Sequence, residues 1–262
     1  MATTDDIAPG GTSPALRVAD AAITMALWLW FVFGYFFLFF PMHLVGWIGA
    51  RDREAWSQKV NHLYMRSLLR ALLLLDPRTR IDIAPEVKAL SGCVVVANHR
   101  SYLDPILMVA AFPRQKTIVK GSFFPAPFLG WAMAMAGYLS SANEGPLIGR
   151  LARVIDRLPQ FLSQGGNLFV FPEGTRRSTT GIGPLKRGAF SLARRCKAPV
   201  AIVSLSGTGR VFPPGSATVR TWCGTSVSVR LVAVLSPNYD APDFSLADFI
   251  DEVRTRMHEA RD

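Results

Sequence analysis

Cysteine is scarce: Cys93, Cys196 and Cys223 are the only three. Odd in number, far apart and without C-x-x-C spacing, they exclude a disulfide framework and a structural zinc site, and they fit reduced thiols facing a cytosol. Charged residues make up only 18%, whereas half of the 262 residues are hydrophobic. That is the reverse of the composition that keeps a chain disordered. With 21 Gly and 18 Pro, a collagen-like chain is excluded. No repeat with a period of about 20–50 residues is visible, so solenoids and propellers are out.

Charge of either sign is missing altogether between Asp20 and Arg51. Residues 21–40 read AAITMALWLWFVFGYFFLFF, followed by Pro41, and about 20 apolar residues suffice to cross a bilayer core. The segment before the run is acidic and no small-residue cleavage site closes it, which argues against a secretory signal. Aromatics crowd the run, as they do near lipid headgroups. Pro41, Gly46 and Gly49 interrupt its second half. Two topologies remain open: one spanning helix with a frayed end, or a broken pair that dips into one leaflet and returns. Arg51, Arg53, Lys59, Arg66 and Arg70 place the following flank on the cytoplasmic side. The expected location is therefore the inner or cytoplasmic membrane, with the rest of the chain facing the cytoplasm.

Positive charge is concentrated in the body. The first twenty residues hold one basic and three acidic side chains and the last twenty-two hold three and six, so 25 basic and 10 acidic residues lie between 51 and 240. Such a body suits an anionic partner. It carries no aromatic-rich nucleic-acid motif, so membrane lipid is expected and nucleic acid is not.

Periodicity divides the chain further. Residues 1–20 are expected to be a disordered N-terminus, 21–50 a membrane segment, and 51–76 an amphipathic helix lying at the interface. The alternative for 51–76 is a helix packed on the domain core. From 77 to 262, short strands (78–83, 91–97, 116–119, 137–141, 167–171, 200–205) alternate with helices (104–111, 126–136, 147–163, 186–196). That pattern predicts an α/β domain with a mostly parallel sheet covered by helices. Residues 218–223 and 226–235 read as an antiparallel pair around Gly224, and 244–260 as a final helix.

Three clusters carry chemistry. His99 follows the 91–97 strand, and Asp104-Pro105 reads as a helix start with Asp104 as its cap. A turn thus separates an imidazole from a carboxylate that could fold back to it, fix its tautomer and leave the other nitrogen free to take a proton. The plain alternative is a cap and a surface turn residue. Phe171-Pro172-Glu173-Gly174-Thr175-Arg176 ends another strand and brings a guanidinium to the carboxyl rim of the sheet, where ligands of open α/β folds bind. Lys186-Arg187-Gly188 opens a helix and could hold a second phosphate, such as a coenzyme tail.

These blocks resemble the glycerolipid acyltransferase family, typified by 1-acylglycerol-3-phosphate acyltransferases. Asn98-His99 through Asp104 is similar to the family's His-x4-Asp block, and Phe171 to Arg176 to its Pro-Glu-Gly-Thr-Arg block. Lys120 to Gly130 is similar to the segment leading into the second block. The resemblance implies that His99 is the general base and that Asp104 orients it. It implies that Arg176 binds the acceptor phosphate in a pocket shaped by Glu173, Gly174 and Thr175. It also implies acyl-CoA or acyl carrier protein as co-substrate, a lyso-lipid acceptor, no metal and no other cofactor. Lys186 and Arg187 are candidate donor contacts. Two departures stand out: Asn143 falls where the family's second block usually ends in arginine, and Pro199-Val200-Ala201-Ile202-Val203 keeps only the first proline of the fourth. Lys120 or Arg150 could supply the missing charge. Alternatively the acceptor lacks a terminal phosphate, as in a lyso-ornithine lipid. A non-catalytic binder of anionic membranes is the remaining reading.

Overall fold

The structure, a computed structural model, describes residues 13–141, 147–174, 182–222 and 224–260. It opens with one apolar helix, Pro14–Gly49, of 36 residues, about 54 Å long at 1.5 Å per residue. It comprises α1 (Pro14–Leu29), a π-helical stretch (Trp30–Phe39) and α2 (Phe40–Gly49). The Ser13 side chain accepts from Leu16 N and Pro14 takes the first position, an ordinary N-terminal cap. Residues 14–20 are thus helical, not part of a disordered N-terminus. Pro41 does not break the helix either. Before it the backbone shifts to wider i→i−5 bonding, with Phe40 N–H donating to Tyr35 O, and this register absorbs the donor that proline lacks.

The chain turns back at residues 50–52 into α3 (Arg53–Leu75), capped by Asp52 Oδ1, which accepts from Ala55 N at 2.9 Å. Helix and return limb are stitched in antiparallel register. Trp56 Nε1 donates to Met42 O (2.8 Å), Tyr64 OH to Phe31 O (2.6 Å) and Trp30 Nε1 to Ser67 Oγ (3.1 Å). Gly46 is the close-approach point, since a Cβ there would stand 1.9 Å from Trp56 Cδ1. In place of an interfacial helix whose apolar face meets lipid, residues 53–75 turn Val60, Tyr64, Leu68, Leu69 and Leu72 into the protein. Much of that face packs on α5 (Leu103–Ala111). The outer face of the first helix stays bare, with Val32, Phe33, Phe37, Val45 and Ile48 exposed.

The remaining chain forms the expected α/β domain. Seven strands, β1 (Arg80–Ile83), β2 (Val94–Ala97), β3 (Gln115–Val119), β4 (Leu139–Ser140), β5 (Asn167–Val170), β6 (Val200–Ser206) and β7 (Ser226–Leu235), lie in the order β1-β7-β6-β2-β5-β3-β4. β6, β2, β5, β3 and β4 run parallel, while β7 is antiparallel to β6 and carries β1 parallel to itself. Both faces are covered, which is why β2 reads as an unbroken Val-Val-Val-Ala. Val95 and Ala97 join the layer with α3 and α5. Val94 and Val96 join the layer with the helices Leu147–Ser163, Gly188–Cys196 and Leu246–Glu259.

The antiparallel pair expected around Gly224 is not formed. β7 pairs with β6 and β1 instead, and residues 219–221 spend their main-chain donors elsewhere. Val219 N donates to Thr24 Oγ1 (3.0 Å), Arg220 N to Val211 O (2.7 Å), and Thr221 N and Oγ1 both to Asp20 Oδ1 (2.7 and 2.6 Å). Helix capture of this loop outcompetes strand pairing and docks the start of the apolar helix on the domain. The packing at Gly46 is directly testable: Gly46→Val should destabilise by about 1–3 kcal/mol through overpacking, read as a lowered Tm in detergent. Gly49→Ala, with nothing within 4 Å of the added Cβ, should leave Tm unchanged.

Candidate active site

β2 ends at Ala97, and the next side chain acts as an extra rung of the sheet. Asn98 Nδ2 donates to Leu205 O and Leu205 N donates to Asn98 Oδ1, both at 2.8 Å. With that side chain clamped to β6, the backbone is free to turn outward at His99. Ser101 fixes the other side of the turn: its Oγ donates to Phe212 O (2.8 Å) and accepts from Leu103 N (3.1 Å).

Asp104 is not the helix cap. α5 begins one residue earlier, at Leu103, and Asp104 lies in its first turn, fully buried. Its Oδ2 reaches back and accepts from His99 Nδ1 (3.0 Å), Arg100 N (2.6 Å) and Ser101 N (2.7 Å). The two main-chain N–H groups can only donate, so Oδ2 is an acceptor and the hydrogen of the imidazole contact sits on Nδ1. Nε2 is then the basic nitrogen. The imidazole stacks on Phe171, with centroids 4.3 Å apart and planes at 18°. Its side chain keeps 17% of its surface open while that of Asp104 keeps none. A base with one open edge and a buried orienting carboxylate is an arrangement suited to proton abstraction from a bound hydroxyl.

The second block meets the first through Glu173. That carboxylate is 6% exposed, and its Oε1 accepts from the His99 main-chain N–H at 3.1 Å. It is engaged with protein, so it ties the β5 turn to the β2 turn and is not open to a ligand. Gly174 sits at φ +72° beside it, and a Cβ there would come within 2.4 Å of Lys186 Cε and Nζ. Lys186 N also donates to Pro172 O (2.8 Å). The Lys186 ammonium thus lies against the Pro-Glu-Gly turn, and sequence alone gave no sign of that contact. Arg187 is exposed at the start of the 188–196 helix, and Lys120 is exposed at the carboxyl end of β3, next to β5. Thr175, Arg176 and Asn143 lie outside the described residues, as does the Arg150 side chain.

Three contributors were not singled out from sequence: the Asn98 clamp, the Phe171 stacking platform and the Ser101 bridge. All three are next to or inside the motifs, but only the spatial pairing of β2 with β5 and β6 reveals what they touch. Burial pushes the Cys93 and Cys196 thiols up from their ordinary range, which makes both poor nucleophiles. Among the described residues, no group of three or more His, Cys, Asp or Glu is arranged to hold a metal ion.

Comparison with known proteins places this geometry. The acyltransferase family model matches residues 78–206, which contain both blocks. The 1-acyl-sn-glycerol-3-phosphate acyltransferase BAT2 of Brassica napus is 36% identical over 169 residues, 64% of this chain and 46% of that protein. A Saccharomyces cerevisiae 1-acyl-sn-glycerol-3-phosphate acyltransferase is 29% identical over 220 residues, 82% of this chain and 65% of that protein. The chain therefore spans less than two thirds of the length of these relatives. The crystal structure of the 1-acyl-sn-glycerophosphate acyltransferase PlsC from Thermotoga maritima superposes with a TM-score of 0.71 over 94% of this chain and 97% of that one, at 20% identity, so it shares the fold. With the His-x4-Asp pair and the Pro-Glu-Gly turn joined at one sheet rim inside the matched region, the chain belongs to the glycerolipid acyltransferase family.

Proposed function

We propose that the chain is a membrane-bound O-acyltransferase that moves a fatty acyl group from acyl-CoA or acyl carrier protein to the free hydroxyl of 1-acylglycerol-3-phosphate, giving phosphatidic acid. The observation that carries this reading is the His99–Asp104 pair, locked to the second block by Glu173. The names of the relatives support the acceptor. The bare apolar face of the 14–49 helix supports a membrane setting.

In this mechanism His99 Nε2 takes the hydroxyl proton as the acceptor oxygen attacks the thioester carbonyl. The resulting imidazolium is held by Asp104 while the tetrahedral intermediate forms. Collapse breaks the C–S bond, and the departing thiolate takes the proton back from His99, regenerating the base. The nucleophile is the substrate's own oxygen, so no acyl-enzyme is formed. Arg176, with Gly174 and Thr175 at its turn, would hold the acceptor phosphate. Lys120 and Lys186 would add positive charge at the same rim, with Arg187 a donor contact. Membrane insertion of the 14–49 helix would bring that rim to lipid substrates, on the cytoplasmic face.

Asn143 motivates a second reading within the same chemistry. A neutral amide replaces a guanidinium there, and charge-assisted bonds to phosphate are about twice as strong as neutral ones. An acceptor without a terminal phosphate, such as a lyso-ornithine lipid, would not need that charge. A panel of lyso-lipids with labelled acyl-CoA and acyl carrier protein separates the two: the proposal expects the highest turnover with 1-acylglycerol-3-phosphate. No product from it, alongside good turnover of an uncharged-headgroup or ornithine acceptor, would replace it with the second reading.

The chemistry itself has its own test. His99→Ala should lower kcat by roughly 10²–10⁴-fold, the usual contribution of a general base. Asp104→Asn, which can donate to Nδ1 and invert the tautomer, should lose most activity with folding retained. Near-wild-type turnover of purified His99→Ala would remove the base assignment.

A further inference from the structure

At the end of the apolar helix, where the chain turns into α3, lies an open cavity of about 410 Å³ whose lining includes Arg51, Asp52, Trp56, Lys59, Pro113 and Arg114. It belongs to a different part of the molecule from the catalytic rim. Arg114 immediately precedes β3, whereas Lys120 follows it, so the length of the strand, about 17 Å at 3.3 Å per residue, separates the cavity from the carboxyl edge where His99 stands.

Its charge is unbalanced. Three cations line it against one carboxylate, and the Asp52 Oδ1 oxygen is already spent on capping Ala55 N. Arg51 and Lys59 are exposed and have no hydrogen-bond or ion-pair partner among the described residues. Arg114 donates through Nη1 to Gln164 O (3.1 Å), and its Nε is buried with no partner. Two unpaired cations, Arg51 and Lys59, around a hollow that Arg114 also lines call for an anion with several acceptor oxygens, and phosphate is a group that such a set binds well.

The surroundings say where that phosphate comes from. Trp56 forms one wall, its indole fixed by Nε1 donating to Met42 O. Trp47 lies half exposed one turn before the cavity, under the Arg53 guanidinium at 5.7 Å. Val45 and Ile48, in the last turn of the helix, are among its most exposed apolar side chains. Tryptophan and basic residues at the end of an apolar helix mark headgroup depth, where a phosphate arrives attached to acyl chains that such side chains can contact. We infer that this cavity is a second lipid site, binding the phosphate of a net-anionic membrane phospholipid apart from the catalytic rim. It rests on the membrane placement of the 14–49 helix proposed above and is independent of acyl transfer.

Native mass spectrometry of the detergent-solubilised full chain tests it, because the readout is bound lipid and not turnover. The protein would be titrated with phosphatidylglycerol, phosphatidylcholine and inorganic phosphate. Wild type should retain phosphatidylglycerol in preference to phosphatidylcholine, and inorganic phosphate should not displace it. The double variant Arg51→Gln, Lys59→Gln should bind phosphatidylglycerol about tenfold more weakly, about 1.4 kcal/mol. The charge-keeping Arg51→Lys, Lys59→Arg variant should restore it, and His99→Ala should leave it unchanged. Equal retention of both lipids, an unaltered affinity in the neutral variant, or displacement by inorganic phosphate would each overturn the inference. Loss of acyl transfer from a preparation that still shows the lipid preference would count against the proposed function alone.

Discussion

A single buried oxygen organises the candidate site. Asp104 Oδ2 accepts three hydrogens, one from an imidazole and two from the main chain of the turn that carries that imidazole. Hydrogen bonds to a charged acceptor are worth about 1.5–3 kcal/mol each. Three of them outweigh the roughly 1–3 kcal/mol that an unsatisfied buried polar atom costs, here Asp104 Oδ1. The carboxylate therefore shapes the loop and fixes the tautomer with the same atom. Glu173 does for the main-chain N–H of His99 what Asp104 does for its ring, so both faces of the turn are held by buried carboxylates that a substrate need not touch.

The apolar helix is bound to this apparatus at both ends. Near its start, Asp20 and Thr24 collect the main-chain donors of Thr221 and Val219. That segment follows closely after Phe212, whose carbonyl receives the Ser101 hydroxyl. Beyond its end, Glu54 at the start of α3 meets Lys116 of β3 at 2.8 Å, with the lysine only 1% exposed. The Glu54 side chain keeps 36% of its surface exposed, so it is the buried ammonium that would be left without its ion-pair partner if Glu54 were removed. The helix and its return limb are therefore a fixed part of the domain, and their depth in a bilayer would set the height of the catalytic rim.

The sequence made the sheet and the motif pair legible because both depend on local patterning: apolar β-branched runs bounded by Gly and Pro, and short blocks placed at strand ends. What it hid was pairing. The 218–223 segment has strand composition, yet Val219 and Thr221 donate to Thr24 and Asp20, about two hundred residues away, and nothing local announces that. Residues 51–76 have the basic and apolar faces of an interfacial helix, but that apolar face is covered by α5 and by the first helix, a tertiary fact. Pro41 and Gly46 look like breaks in one dimension. In three dimensions one is absorbed by a π-helical register and the other admits Trp56. Glu173 reads as a ligand contact until its partner, the His99 N–H, is seen.

Because the account stands on which ring nitrogen carries the proton, nitrogen-15 NMR of histidine-labelled protein reaches it most directly, and only four histidines need assigning. At a pH where His99 is neutral, its Nδ1 should appear protonated and its Nε2 as the pyridine-type nitrogen, a pattern lost in Asp104→Ala. A His99 ring protonated on Nε2 instead would leave no lone pair facing the acceptor and would contradict the assignment.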